Sequence, residues 1–94
     1  MGPVMRERRI EQRLAERVKA LGGVAVKMVP TIAGLPDRLV LLPNGVARFV
    51  ELKSPTGRLR PVQQVWHERL DRLGHPVAVL SSTDQVDRWI DEGR

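Results

Sequence analysis

Asp37, Glu51 and Lys53 are the residues of this chain whose types and spacing could support demanding chemistry. They sit within residues 34–53, GLPDRLVLLPNGVARFVELK. A Gly34-Leu35-Pro36-Asp37 corner leads into an apolar run, which turns over Pro43-Asn44-Gly45 and returns through Val46 to Lys53. Asn-Gly is a favoured hairpin dipeptide because both residues accept positive φ. Pairing the two runs brings Asp37, near the start of one, to Glu51 and Lys53, near the end of the other. Two carboxylates can hold Mg²⁺ or Mn²⁺ and leave coordination positions for water and phosphate oxygens. A lysine projecting from the same strand face can polarise an attacking water or stabilise charge on a phosphoryl group. That combination is suited to metal-assisted hydrolysis of a phosphodiester.

Strand alternation adds a constraint. Ala47, Phe49, Glu51 and Lys53 share one face; Val46, Arg48, Val50 and Leu52 share the other. If Phe49 points towards protein, so do Glu51 and Lys53, and burying them unpaired would cost several kcal/mol. Asp37 and a metal ion would supply partners. The alternative is a solvated strand end with a weak Glu51–Lys53 pair worth roughly 0–1 kcal/mol.

The elements that must position these groups follow from periodicity. Residues 4–21 read as an amphipathic helix with Ile10, Leu14, Val18 and Leu21 on one stripe, closed by Gly22-Gly23. Glu11 lies on the border of that stripe and Glu7 within it, whereas Glu16 points away among arginines. Val24–Val29 reads as a short strand stopped by Pro30, and strands over 37–42 and 46–53 follow. Pro61 opens a second helix that ends at Gly74, with Val62, Trp66, Leu70 and Leu73 on its apolar stripe. Gln63 borders that stripe and Gln64 points away. Val77–Leu80 is a continuous apolar run, as expected of a strand covered on both faces. Ser82-Thr83-Asp84-Gln85 is a capping-box start for a last helix packing Val86, Trp89 and Ile90. The expected fold is α/β, a small mixed sheet flanked by helices in the order αβββαβα, with the last strand reached by a crossover helix.

Composition narrows the class. Residues 1–94 suit a single domain with a modest core. The absence of cysteine excludes a disulfide scaffold and any thiolate metal site; with two histidines, a zinc centre is not expected. No apolar stretch is long enough for a membrane span, so the expectation is a soluble, intracellular protein. The net charge of +5 is uneven: residues 1–60 carry twelve Lys/Arg against five Asp/Glu, and residues 61–94 carry four against six. One basic face suits a polyanion. Lys27, Arg58 and Arg60 are candidate phosphate contacts. His67, one turn beyond Gln63, reads as a partly exposed helix histidine, with a phosphate contact as the alternative; His75 reads as part of a Gly-His-Pro turn. Trp66 and Trp89 read as core.

Gly34-x-Pro36-Asp37, then Phe49-Val50-Glu51-Leu52-Lys53, then Gln63, together resemble the VRR-NUC (virus-type replication-repair nuclease) domains of the PD-(D/E)XK superfamily. Ile10-Glu11, Leu21-Gly22-Gly23, Leu59-x-Pro61-x-Gln63 and Gly74-x-Pro76-Val77 extend the resemblance over nearly the whole chain. It implies a restriction-endonuclease-like fold and a single VRR-NUC-like nuclease domain. Asp37 and Glu51 become the metal carboxylates, the Leu52 backbone carbonyl a further ligand, and Lys53 the catalytic lysine. Glu11 becomes the helical glutamate completing the acidic metal site, directly or through a water, and Gln63 the glutamine that orients substrate or lysine. The implied activity is a Mg²⁺- or Mn²⁺-dependent endonuclease on branched DNA such as four-way (Holliday) junctions, acting as a homodimer. The rivals are a monomeric flap- or nick-processing nuclease, and a non-catalytic nucleic-acid-binding module that works with a helicase partner.

Overall fold

The computed structural model of the protein describes residues 3–29 and 31–94, so the expected strand stop at Pro30 lies outside the described residues. The elements follow in the expected order: α1 (Pro3–Ala20), β1 (Val24–Lys27), β2 (Arg38–Leu42), β3 (Val46–Leu52), α2 (Pro61–Arg72), β4 (Val77–Leu80) and α3 (Thr83–Arg88). A π-helical turn, Trp89–Gly93, continues α3. The sheet runs β1-β2-β3-β4; β1–β2 and β2–β3 are antiparallel and β3–β4 is parallel, as a helical crossover through α2 requires.

The hairpin turn forms for the reason its dipeptide suggests. Asn44 and Gly45 both take positive φ, 67° and 74°, and with Pro43 they make a three-residue loop between the strands. Leu42 then pairs with Val46, and the register continues to Arg38 opposite Val50. One step further, Asp37 comes opposite Glu51. At the other end of β1, the Met28 N–H donates to the Asp37 carbonyl at 2.8 Å and fixes the backbone there.

Parity sorts the sheet into two unlike faces. Val40, Leu42, Val50, Leu52 and Leu80 point at α1 and α3, where they pack with Ile10, Leu14, Val18, Val86 and Ile90 in one core. Burying each such side chain stabilises the fold by about 1.5–3 kcal/mol before entropy is counted. Helix α1 ends where Gly22 adopts a φ of 85°. Its N–H bonds to the Lys19 carbonyl, and the Gly23 N–H to that of Val18. Gly23 permits the immediate return of the chain, since a Cβ there would lie 2.3 Å from the Leu41 carbonyl oxygen. Arg13 and Arg17 tie α1 to Asp87 of α3, holding the Asp87 carboxyl below its usual range chiefly through the hydrogen bond from Arg13. Those arginines stabilise the helix pair, so they contribute less to a basic face than their count suggests.

The second face differs from the sequence expectation. β4 is an edge strand and is not covered on both sides: Val79 is 40 % exposed. Helix α2 covers only the end of this face nearest Glu51. Val24, Val26 and Leu41 are also exposed, and on α2 itself Val62 and Leu73 remain in solvent while Trp66 and Leu70 are half-buried. An apolar run in a four-residue strand therefore did not mean two-sided burial. Leu21, placed on the α1 stripe by periodicity, lies beyond the helix end and is exposed. At α3 the Ser82 hydroxyl accepts from the Gln85 N–H as expected, but the Gln85 side chain returns to Ser81.

Candidate active site

The site is assembled by a close approach of two backbones. Gly34 has a φ of 98°, and a Cβ there would lie 2.6 Å from the Val62 carbonyl oxygen and 2.8 Å from Trp66 Cδ1. Only glycine fits both the left-handed conformation and the contact. The corner is thereby pressed against the first turns of α2, with Pro36 buried beneath it. This approach brings Asp37, at the start of β2, to the same place as Gln63, in the first turn of α2.

Glu51 is the centre of the cluster and is only 4 % exposed. Its Oε2 accepts from Gln63 Nε2 at 3.4 Å and lies 3.9 Å from Lys53 Nζ. Its Oε1 lies 3.9 Å from His67 Nε2, and both of these atoms are buried without a hydrogen-bond partner. None of these separations is a tight hydrogen bond. Burial, and then the neighbouring Asp37 carboxylate, push the Glu51 carboxyl up from 4.5 to about 7, with Lys53 opposing the rise. The His67 imidazole is pushed down by burial and then by Lys53. A carboxylate kept dry beside a second carboxylate, with an oxygen left unbonded, is an arrangement that folding alone does not favour.

Asp37 is held from two sides. Its Oδ1 accepts from the Leu52 N–H at 3.2 Å, and its Oδ2 pairs with Arg38 Nη1 at 3.0 Å. Gln63 is held equally well: its Oε1 accepts from the Arg60 N–H at 2.8 Å, which caps α2 and leaves Nε2 free to face Glu51. Gln64, by contrast, is exposed and donates to the Leu59 carbonyl. The structure thus brings Asp37, Glu51, Lys53 and Gln63 together, as the sequence suggests. Lys27, Arg58 and Arg60 are exposed, Lys27 beside Arg38 in the β1–β2 register and the two arginines on the loop between β3 and α2.

Three placements go beyond what the sequence reading assigned. Glu11 Oε2 bonds Arg38 Nη2 at 3.0 Å, and Arg38 in turn bonds Asp37 Oδ2 at 3.0 Å, so Glu11 meets Asp37 through the guanidinium. The contact is made by Glu11, not Glu7. Arg38 itself is buried, and the signal for it was present: it shares parity with Val40 and Leu42, so it had to point at the core face. His67, expected as a partly exposed helix histidine, is of intermediate burial, and its side chain, 11 % exposed, faces Glu51. Its place one turn beyond Gln63 was the available signal.

Among the described residues no three His, Asp or Glu converge closely enough to hold an ion by themselves. The donor set still fits a magnesium-type ion, which takes one or two carboxylates and keeps several waters. The unbonded Oε1 of Glu51 and the mutual repulsion of Glu51 and Asp37 are what such a cation would relieve. A groove of about 720 Å³ lies elsewhere, around β4, where His75 sits edge-on to Phe49; it contains none of these acids.

Comparison with known proteins agrees with this geometry. The VRR-NUC domain model matches residues 5–84. A protein named "Putative nuclease p44", from Acyrthosiphon pisum secondary endosymbiont phage 1, is 49% identical over 82 residues, which is 86% of this chain and 88% of that one. An S-adenosylmethionine:tRNA ribosyltransferase-isomerase of Synechococcus sp. (strain WH7803) is 45% identical over 49 residues, 52% of this chain but only 13% of its own length. A solved structure described as a VRR_NUC domain superposes with a TM-score of 0.86 at 38% identity, covering 95% of this chain and 98% of that one. The chain belongs to the VRR-NUC nuclease domain family.

Proposed function

We propose that this nuclease domain, spanning residues 1–94, is a Mg²⁺- or Mn²⁺-dependent endonuclease that hydrolyses phosphodiester bonds in branched DNA, four-way junctions in particular, as a homodimer. The observation that carries the metal-dependent chemistry is Glu51, a buried carboxylate with an unbonded oxygen beside Asp37, Lys53 and Gln63. Asp37 and Glu51 would hold the ion, with the Leu52 carbonyl as a further ligand. The ion, when bound, supplies charge neutralisation at the phosphate and a water of lowered pKa.

The chain's own groups do the rest. The Leu52 N–H and Arg38 fix the Asp37 carboxylate, and Gln63, locked by its bond to the Arg60 N–H, fixes Glu51. Lys53, 20 % exposed and unable to make a close bond to Glu51 at 3.9 Å, is available to the phosphoryl oxygens as charge builds on them. Lys27, Arg58 and Arg60 supply salt-sensitive contacts to the backbone of the substrate. The uncovered apolar sheet face with Val24, Val26, Leu41 and Val79 supports a second copy as its cover, and a small core gains from such burial. Among the described residues no helix is long and apolar enough to cross a membrane.

The test is cleavage of four-way junctions, flaps, nicked and linear duplexes with Mg²⁺, Mn²⁺ or EDTA, alongside sizing in solution. The expected result is metal-dependent cutting of junctions by a dimer, abolished in Asp37→Asn. Metal-independent binding without cutting would refute the enzyme reading. Monomeric protein that prefers flaps would replace the junction reading, and activity appearing only with an added helicase would mark a recruited subunit.

A further inference from the structure

Arg38 is the buried cation of this site, and the nuclease reading does not account for the second acid that it holds. Its guanidinium lies under the sheet at 5 % residue exposure, on the α1 face between two acids. Nη2 bonds Glu11 Oε2 at 3.0 Å; Nη1 bonds Asp37 Oδ2 at 3.0 Å and the Asp37 carbonyl at 3.1 Å. A guanidinium presents its donors in one rigid plane, so a single side chain can fix both carboxylates at once. With Asp37 Oδ1 fastened to the Leu52 N–H, Arg38 completes the hold on that carboxylate.

We propose that Arg38 is a positioning residue for the metal pair, and that Glu11 serves the site as the counter-ion of Arg38 and not as a metal ligand. The proposal rests on the reading of Asp37 and Glu51 as that pair. Its physical core is a charge balance. A buried cation beside Asp37 competes with any metal for the same carboxylate, unless an acid on its other side compensates it. Glu11, delivered by α1 at the border of its apolar stripe, is that acid. Removing its charge leaves the guanidinium uncompensated next to the metal pair; removing both charges together leaves nothing to compensate. A direct ligand behaves differently, because its loss weakens metal binding whether or not Arg38 is present.

Mn²⁺ binding to the DNA-free protein, read by the electron paramagnetic resonance of free Mn²⁺, decides between them. The proteins are wild type, Asp37→Asn, Glu11→Gln, Arg38→Met and the Glu11→Gln/Arg38→Met double variant. Circular dichroism melts confirm folding, and the double variant buries no lone charge if Arg38→Met alone fails to fold. Glu11→Gln should weaken Mn²⁺ binding roughly tenfold in the wild-type background, the scale of a lost supporting contact around a metal. Against Arg38→Met the same change should move affinity by no more than about twofold, and the double variant should bind no more weakly than Glu11→Gln, the non-additivity of residues sharing one network. A similar tenfold loss in both backgrounds, or a double variant that binds much more weakly than Glu11→Gln, overturns the proposal and makes Glu11 a ligand. A loss in Glu11→Gln as complete as that in Asp37→Asn does the same. Wild type that binds no Mn²⁺ would instead overturn the metal reading itself, and this proposal with it.

Discussion

Replacing Glu51 by glutamine should stabilise the metal-free protein, and only at neutral and alkaline pH. Burial and Asp37 raise the Glu51 carboxyl from 4.5 to about 7 in the folded state. At about 1.36 kcal/mol for each pH unit of displacement, the charged form is disfavoured by roughly 3 kcal/mol relative to the unfolded chain. The sign follows from which state holds the proton. Between pH 4.5 and 7 the folded protein keeps it and the unfolded chain has released it, so stability falls as pH rises through that window. Below 4.5 both states are protonated and the contribution is fully present; above 7 it is fully lost. Glutamine is never charged, so Glu51→Gln should match wild type near pH 4.5 and exceed it by about 2–3 kcal/mol at pH 8. For a domain of this size that is a difference of about 10–20 °C in Tm. Thermal melts of both proteins in EDTA, from pH 4.5 to 8.5, measure the difference directly, and titrations of other groups cancel in it. Saturating Mg²⁺ should then raise the Tm of wild type at pH 8 and leave Glu51→Gln unchanged. A pH-independent difference between the two proteins would refute the reasoning, since it would mean that Glu51 is not held in an unfavourable charged state.

Other predictions use different parts of the site. Lys53→Met should reduce cleavage by about 10²-fold or more while metal binding persists, as expected for a group that acts on developing charge; single-turnover cleavage and Mn²⁺ titration separate the two. Gln63→Ala removes both the bond to the Arg60 N–H and the contact with Glu51, so it should cost about 1–2 kcal/mol in urea melts and also lower activity, whereas Gln64→Ala should leave cleavage unchanged. Gly34→Ala places a Cβ 2.6 Å from the Val62 carbonyl oxygen on a left-handed backbone, and should destabilise by at least about 1–3 kcal/mol and impair cleavage although residue 34 touches no substrate group. Retained activity at wild-type stability in that variant would show that the corner does not set the approach of α2.

Much of this molecule was legible because local rules act over a few residues. Pro43-Asn44-Gly45 makes a three-residue turn, the turn sets the register, and the register with strand parity places Asp37 opposite Glu51 with Lys53 beside them. Helical spacing likewise distinguished Gln63 from Gln64. The order of elements followed from periodicity, Pro61 and the glycine stops. What lay beyond local rules depended on how closely elements approach. Periodicity put Glu11 at the border of a stripe, but only the packing of α1 on the sheet gave it Arg38 as a partner. Alternation could have marked Arg38 as inward-pointing, yet nothing local names the two acids it joins. The contact of Gly34 with Val62 decides how far α2 sits over the sheet. The same packing buries His67 against Glu51, while Val24, Val26 and Leu41 towards the other end of the face, and Val79 on the edge strand, stay exposed. The sequence by itself determined which groups share a strand face or a helix border, because dihedral preferences and periodicity are local. Tertiary structure alone decided which are dry, paired or unpartnered, because burial and charge pairing are set by distances between elements that no short stretch encodes.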